Sequence, residues 1–164
     1  MTAVASSRSA KVTFPSDEQI LITREFDAPR HLVYKAWTTP ELVRRWWAGE
    51  RGRMTVAEID LRVGGAWRYV MIAHGDFEVA FHGEYREIAE DERLVYTEVY
   101  EGPWPDGDPA VNTATFTETG GRTTLELLTQ LDCKQTRDAI IATGMEGGMQ
   151  EGMDLLEQVA ISLR

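Results

Sequence analysis

The apolar residues of this chain change their spacing once, near its end, and that change limits what it can fold into. Between positions 54 and 131 they recur largely at every second residue, in stretches bounded by Gly64-Gly65, His74-Gly75-Asp76, Glu90-Asp91-Glu92 and Gly120-Gly121. Beyond Lys134 they recur every three or four residues: Ile141, Met145, Met149, Leu156, Ala160 and Leu163. Period two between compact turns is the pattern of half-buried antiparallel strands joined by hairpins, and the later spacing is that of an amphipathic helix. A sheet with one apolar face needs a cover, and the final segment is the one helix long enough to provide it. The expected class is therefore α+β.

The remaining elements follow from local signals. Ile20, Ile22 and, less regularly, Phe26 mark a first strand over Gln19–Phe26. Asp27-Ala28-Pro29 then supplies a cap-like acid and a proline suited to a helix's first turn, with Val33, Ala36 and Trp37 on one face. Pro40 starts a second short helix reaching Trp46, where Leu42 and Trp46 stand four apart. In 54–63, Val56 is out of phase, while Ala57, Ile59, Leu61 and Val63 share a face ahead of a Gly64-Gly65 hairpin. Trp67, Tyr69 and Met71 share a face of the next strand, and Phe77, Val79, Phe81, Gly83 and Tyr85 share one after that. A fifth strand covers 94–100. The segment 101–109, with Pro103, Pro105 and Pro109, reads as a loop, and 111–118 and 123–131 form a last hairpin. The C-terminal segment reads as one long helix with a kink near Gly144. Its glycines, Gly144, Gly147, Gly148 and Gly152, each cost about 1 kcal/mol against alanine in a helix interior and so require a reason: close backbone approach, room for a ligand, or a break.

At 164 residues the chain suits one domain, read as 19–164 behind a tail of 1–18 rich in Ser, Thr and Ala. A net charge of −10 opposes attraction to nucleic acid and to anionic membrane surfaces, and neither is expected as a partner. No apolar run approaches the roughly 20 residues that span a bilayer, and no apolar signal-peptide region follows Arg8 and Lys11. The lone Cys133 allows neither an intrachain disulfide nor a CxxC motif, which fits a reducing, cytoplasmic setting. It precedes the last helix, where a dipole could lower a thiol's pKa, though a small packing residue is the simpler reading.

Little in the sequence carries catalysis by itself. His31, His74 and His82 lack the spacing of a metal pair, so no metal is expected; His82, mid-strand and opposite in face to Phe81 and Gly83, suits a cross-strand hydrogen bond. Asp60 and Arg62 can pair beside their turn. There is no GxSxG elbow, GxGxxG or phosphate-cradling loop, and no cofactor is expected. The helix methionines Met145, Met149 and Met153, four apart, form either core packing or an adaptable apolar wall. Trp46 and Trp47 cannot both face one side of a helix, so one packs inward and the other lies near the surface or a pocket mouth.

Six landmarks occur in order: Ala28-Pro29 through Trp37; Pro40-Glu41-Leu42 through Trp46; Asp60-Leu61-Arg62-Val63-Gly64-Gly65; Phe81-His82-Gly83 followed by Glu87-Ile88; Arg93-Leu94-Val95; and Gly144-Met145-Glu146. From Gln19 onward the chain resembles the SRPBCC or START-like superfamily, in the branch similar to the C-terminal domain of the heat-shock-protein ATPase activator. The resemblance implies a helix-grip fold: a curved antiparallel sheet of six to seven strands around a long C-terminal helix, two short helices after the first strand, and a cavity between sheet and helix. Lipid-transfer domains, hormone binders, aromatic cyclases and oxygenase subunits share that fold, so the fold alone does not assign a reaction.

The expected function is binding or carriage of a small hydrophobic molecule, aromatic, polyketide-like or lipid, in a cavity lined by Trp46, Trp67, Tyr69, Met71, Phe77, Phe81, Tyr96, Leu127, Met145, Met149 and Met153. One alternative is a cyclase or hydratase using Tyr69, His82 or Glu98 as acid or base. Another is a module stimulating a chaperone ATPase, as the resemblance implies; the activator's separate N-terminal domain has no place in a chain read as one domain, which weighs against a chaperone partner. Edge strands leave a homodimer open.

Overall fold

The computed structural model describes residues 9–102 and 108–164. In chain order the elements are β1 (Lys11–Thr13), β2 (Gln19–Phe26), α1 (Arg30–Thr38), α2 (Pro40–Val43), β3 (Gly52–Ile59), β4 (Ala66–Ala73), β5 (Phe77–Ala89), β6 (Arg93–Tyr100), β7 (Ala110–Thr119), β8 (Arg122–Gln130), α3 (Lys134–Ala142) and α4 (Met145–Ser162). The strands make one antiparallel sheet in the order β1-β2-β8-β7-β6-β5-β4-β3. Five consecutive hairpins therefore run from β8 back to β3, and β2 closes on β8, the last strand in sequence.

Alternation explains which face is covered. Cross-strand partners share a face, so Ile22, Leu127, Ala114 and Leu94 form one row across β2, β8, β7 and β6, and Arg24, Leu125 and Phe116 form another. Two bulges keep the longer strands in phase. A register shift between Met54 and Val56 adds one residue to β3, which is why Val56 looks out of phase in the sequence, and a second shift lies between Tyr85 and Glu87.

Three differences from the sequence reading have physical causes. The sheet has eight strands because Lys11–Thr13, inside the stretch read as a tail, pairs with Leu21–Thr23 at its edge. The Gln150 side chain fastens the residue before it, accepting from the Ala10 amide (3.0 Å) and donating to its carbonyl (2.8 Å). Leu61 and Val63 are exposed in a turn, since β3 ends at Ile59 and Asp60 N bonds Ala66 O across the turn base. Finally, the C-terminal helix is divided: Gly144 has φ 77°, a left-handed conformation that ends α3 and starts α4.

The glycines of α4 face the segment after α2, with the movable end of Arg51 over Gly147 and Gly148 and an ordinary contact at Gly152. A Cβ at Gly148 would stand 2.7 Å from the Arg51 guanidinium carbon, and one at Gly152 would stand 3.5 Å from the Trp46 carbonyl oxygen. The other side of α4 is held by ions. Arg24, on the covered face of β2 and only 2% exposed, bonds Asp154 at 2.7 Å and Glu157 at 3.2 Å, while the second oxygen of Glu157 accepts from the Asp27 amide at 2.8 Å. A buried pair of this kind adds little net stability after desolvation but places α4 at one position along β2. Around it Phe26, Val33, Leu94, Ala114, Phe116, Leu125, Leu156 and Ala160 are at most 1% exposed.

Candidate functional site

Away from that core, toward β3–β6 and the N-terminal half of α4, burial of the apolar side chains is incomplete. No residue of α3 is buried, and in α4 the buried positions begin at Gly152. Met145 and Met149 face the core but are only half-buried, as are Phe81, Leu127 and Trp47. These partly buried side chains pack against the core, and the region they border, between the sheet and the α3–α4 junction, is the candidate ligand cleft.

The wall is built around a missing side chain. Trp67 on β4 pairs with Gly83 on β5, and the Trp67 indole crosses the glycine to donate to the Thr97 carbonyl of β6 at 3.0 Å. A Cβ at Gly83 would meet that same carbonyl oxygen at 1.8 Å, so only glycine lets the indole lie there. Trp67 then packs on Tyr69 (centroids 4.8 Å apart) and Tyr96 (5.8 Å), Trp47 packs on Tyr69 (5.4 Å) and Phe81 (5.6 Å), and Phe81 packs on Tyr100 (5.2 Å). Offset and edge-to-face geometries of this kind suit aromatic pairs and make the wall rigid.

One acid stands in this wall. Glu98 lies two residues from both Tyr96 and Tyr100 on the same face of β6, is half-buried, and accepts from Asn112 Nδ2 at 2.9 Å. Asn112 Oδ1 in turn accepts from the Thr129 hydroxyl at 2.6 Å. Burial raises the pKa of Glu98 above the usual carboxylate range, with the Asn112 hydrogen bond opposing. Burial also holds the phenols of Tyr69 and Tyr96 well above their ordinary value, and the charge of Glu98 pushes both further up. The three groups thus share one low-dielectric space.

The expected lining residues divide by position. Trp67, Tyr69, Tyr96 and Met153 are buried against the concave face, and Phe81, Leu127, Met145 and Met149 are half-buried at the cleft; Met71 is half-buried near the outer end of β4. Phe77 is 60% exposed at the start of β5 beside the Gly75 turn, outside the cleft. Trp46 is buried elsewhere, donating to the Ala36 carbonyl at 3.0 Å and packing on Trp37, so its neighbour Trp47 takes the place at the cleft.

His82 lies on the outer face, where its Nδ1 is 2.8 Å from Glu101, which also takes two bonds from Arg68 at 2.9 Å. That position removes it from chemistry in the cleft. The Arg68 and His82 contacts hold the Glu101 carboxyl down to about 2. Cys133 occupies the N-cap position of α3 without a side-chain bond to the helix backbone, and its sulfur lies 3.3 Å from the Thr136 hydroxyl. Among the described residues no cluster of His, Cys, Asp or Glu has a metal-holding arrangement, and no helix is long and apolar enough to cross a membrane. Of the 101–109 loop, residues 103–107 lie outside the described residues. A groove of about 360 Å³ on the convex face, lined by Leu21, Thr113, Leu128 and neighbours, is separate from the cleft.

With this geometry in view, comparison with known proteins is informative. The family model described as "Activator of Hsp90 ATPase homolog 1-like protein" matches residues 27–160. No curated protein sequence matches the chain. Among solved structures, a Rhodobacter sphaeroides protein is 21% identical, with a TM-score of 0.86 over 94% of this chain and 99% of its own. A Chromobacterium violaceum protein is 26% identical, with a TM-score of 0.77 over 88% and 98% of the two chains. An AHSA1-like protein from Aeromonas hydrophila is 20% identical, with a TM-score of 0.64 over 87% and 93%. At these identities the structures support the fold and assign no ligand.

Proposed function

Because the chain belongs to the activator of Hsp90 ATPase homolog 1-like family, with the helix-grip architecture of SRPBCC proteins, we propose that it binds a small hydrophobic molecule, aromatic, polyketide-like or lipid, in the cleft between the sheet and the α3–α4 junction. The supporting observation is the contrast in burial along one continuous apolar face. Side chains as large as Trp47, Phe81, Met145 and Met149 stay half-buried there, whereas Phe26, Phe116, Leu125 and Leu156 are closed off from solvent. Retaining partly wetted aromatic and thioether surface costs stability that a ligand's apolar area would restore at about 25 cal/mol per Å².

Titration with Nile red, a neutral apolar dye, tests the proposal. Saturable fluorescence enhancement is expected, abolished when Leu127→Trp or Met149→Trp fills the cleft. A linear, non-saturating response, or saturation that both bulky variants leave intact, would overturn it.

A further inference from the structure

Glu98 is unusual for a carboxylate inside a protein in what surrounds it. On its own strand Tyr96 and Tyr100 stand at two-residue spacing on the same face. On the β5 side the register continues from Phe81↔Tyr100 and His82↔Val99 to Gly83, which has no side chain, so the Trp67 indole that crosses it is the next group. Tyr96 and Tyr100 thus flank Glu98 along its strand, the Trp67 indole reaches across β5 to the carbonyl of its neighbour Thr97, and Asn112 of β7 bonds the carboxylate. Among the described residues no cation pairs with it: the Arg51 guanidinium lies against Gly147 and Gly148 of α4, and Arg24 is engaged with Asp154 and Glu157.

The polar relay behind Glu98 has a direction. Because the Thr129 hydroxyl donates to Asn112 Oδ1, the Asn112 amide turns its NH₂ group to Glu98 Oε1 and offers it a donor. A donor there supports the ionised carboxylate, while Oε2 has no hydrogen-bond partner among the described residues. A carboxylate backed by a fixed donor, open on its other oxygen and flanked by aromatic π-systems, is complementary to a cation. Aromatic faces attract ammonium groups, and a half-buried anion without a partner gains most from one. The chain's net charge of −10 adds long-range attraction of the same sign.

Building on the cleft as the ligand site, we infer that its ligand is a hydrophobic amine bound in the protonated form, with the ammonium at Glu98 Oε2 and the apolar body against Trp47, Phe81, Leu127 and Met149. The ionisable groups facing Glu98 are Tyr69 of β4 and Tyr96 and Tyr100 of its own strand, all phenols, and burial holds those of Tyr69 and Tyr96 well above their ordinary value; Asn112 of β7, Thr129 of β8, and Met145 and Met149 of α4 do not titrate. Binding of the ammonium should therefore strengthen as pH rises through the pKa of Glu98 and then level off.

Two isosteric probes, naphthylmethylamine and naphthylmethanol, distinguish this inference from the cleft reading beneath it. Monitored by tryptophan fluorescence near neutral pH, the protonated amine is expected to bind at least about tenfold tighter than the alcohol. Glu98→Gln should bring its affinity down to that of the alcohol, and in the unaltered protein only the amine should lose affinity on acidification. Should the alcohol bind as tightly as the amine, or the amine's advantage survive in Glu98→Gln or at low pH, the inference fails and the cleft reading stands. Saturation by neither probe overturns both.

Discussion

Where β2 runs into α1, the side chains of Phe26, Phe116, Leu125 and Leu156 are at most 1% exposed; where β6 approaches the α3–α4 junction, Trp47, Phe81, Leu127, Met145 and Met149 along the same concave face keep part of their surface in solvent. Both regions are apolar, and both contain a charged group on the sheet. They differ in what that group meets. Arg24 finds two carboxylates on α4 and clamps the helix down, whereas Glu98 finds an amide behind it and no cation in front. On the proposed reading, one end holds the helix and the other receives a ligand.

If that contrast is real, substitutions at the two ends must differ in size and in kind. The largest loss is expected for Arg24→Ala: removing the guanidinium between Asp154 and the buried Glu157 should cost about 3–5 kcal/mol in chemical denaturation, and a cost near zero would mean the clamp is not what seats α4. Next, Leu156→Ala in the sealed region should cost about 2–5 kcal/mol, while Met149→Ala should cost about 1 kcal/mol or less and act mainly on Nile red affinity. Equal destabilisation by the two would erase the distinction between core and cleft.

Smaller and opposite in sign is Glu98→Gln. A carboxyl whose folded pKa is raised carries no penalty below the ordinary carboxylate range, where both states are protonated, and destabilises the fold once pH exceeds its folded pKa. Glu98→Gln should therefore raise the melting temperature near neutral pH by about 2–4 °C, corresponding to about 1 kcal/mol for a chain of this size, with the gain fading on acidification. A gain that grows on acidification would reverse the sign and refute the desolvated acid. The smallest effect is on the outer face behind the cleft. Glu101 is held down to about 2 by Arg68 and His82, so its stabilisation is present above the ordinary carboxylate range and lost as pH falls toward that value. As both partners are partly exposed, Arg68→Met should lower neutral-pH stability only slightly and flatten that acid limb.

Much of the fold was legible because alternation and turn chemistry are local. The hairpins around Gly75 and Gly120-Gly121, the helix after Pro29 and the switch of period beyond Lys134 all sit where the residue pattern puts them. What escaped depends on partners distant in sequence. β1 is held by Gln150, 140 positions away, and nothing in Lys11–Thr13 announces that. The choice of Trp47 over Trp46 at the cleft turns on the Ala36 carbonyl taking the Trp46 indole, and the place of Phe77 outside it on where β5 begins relative to its turn. Glu98 was one of three acid or base candidates, with Tyr96 and Tyr100 beside it in the sequence; the Trp67 indole joins them only because Gly83 lets it reach across β5. A glycine between large residues in a strand was the available signal.

The most direct test is nuclear magnetic resonance of the protein with isotopically labelled methionine methyl groups, titrated with Nile red. The account predicts saturable shifts at Met145 and Met149, at the cleft, with much smaller changes at the sealed Met153. Shifts that leave Met145 and Met149 unmoved while binding saturates, as would occur if the dye sat in the convex groove by Leu21 and Leu128, would contradict it.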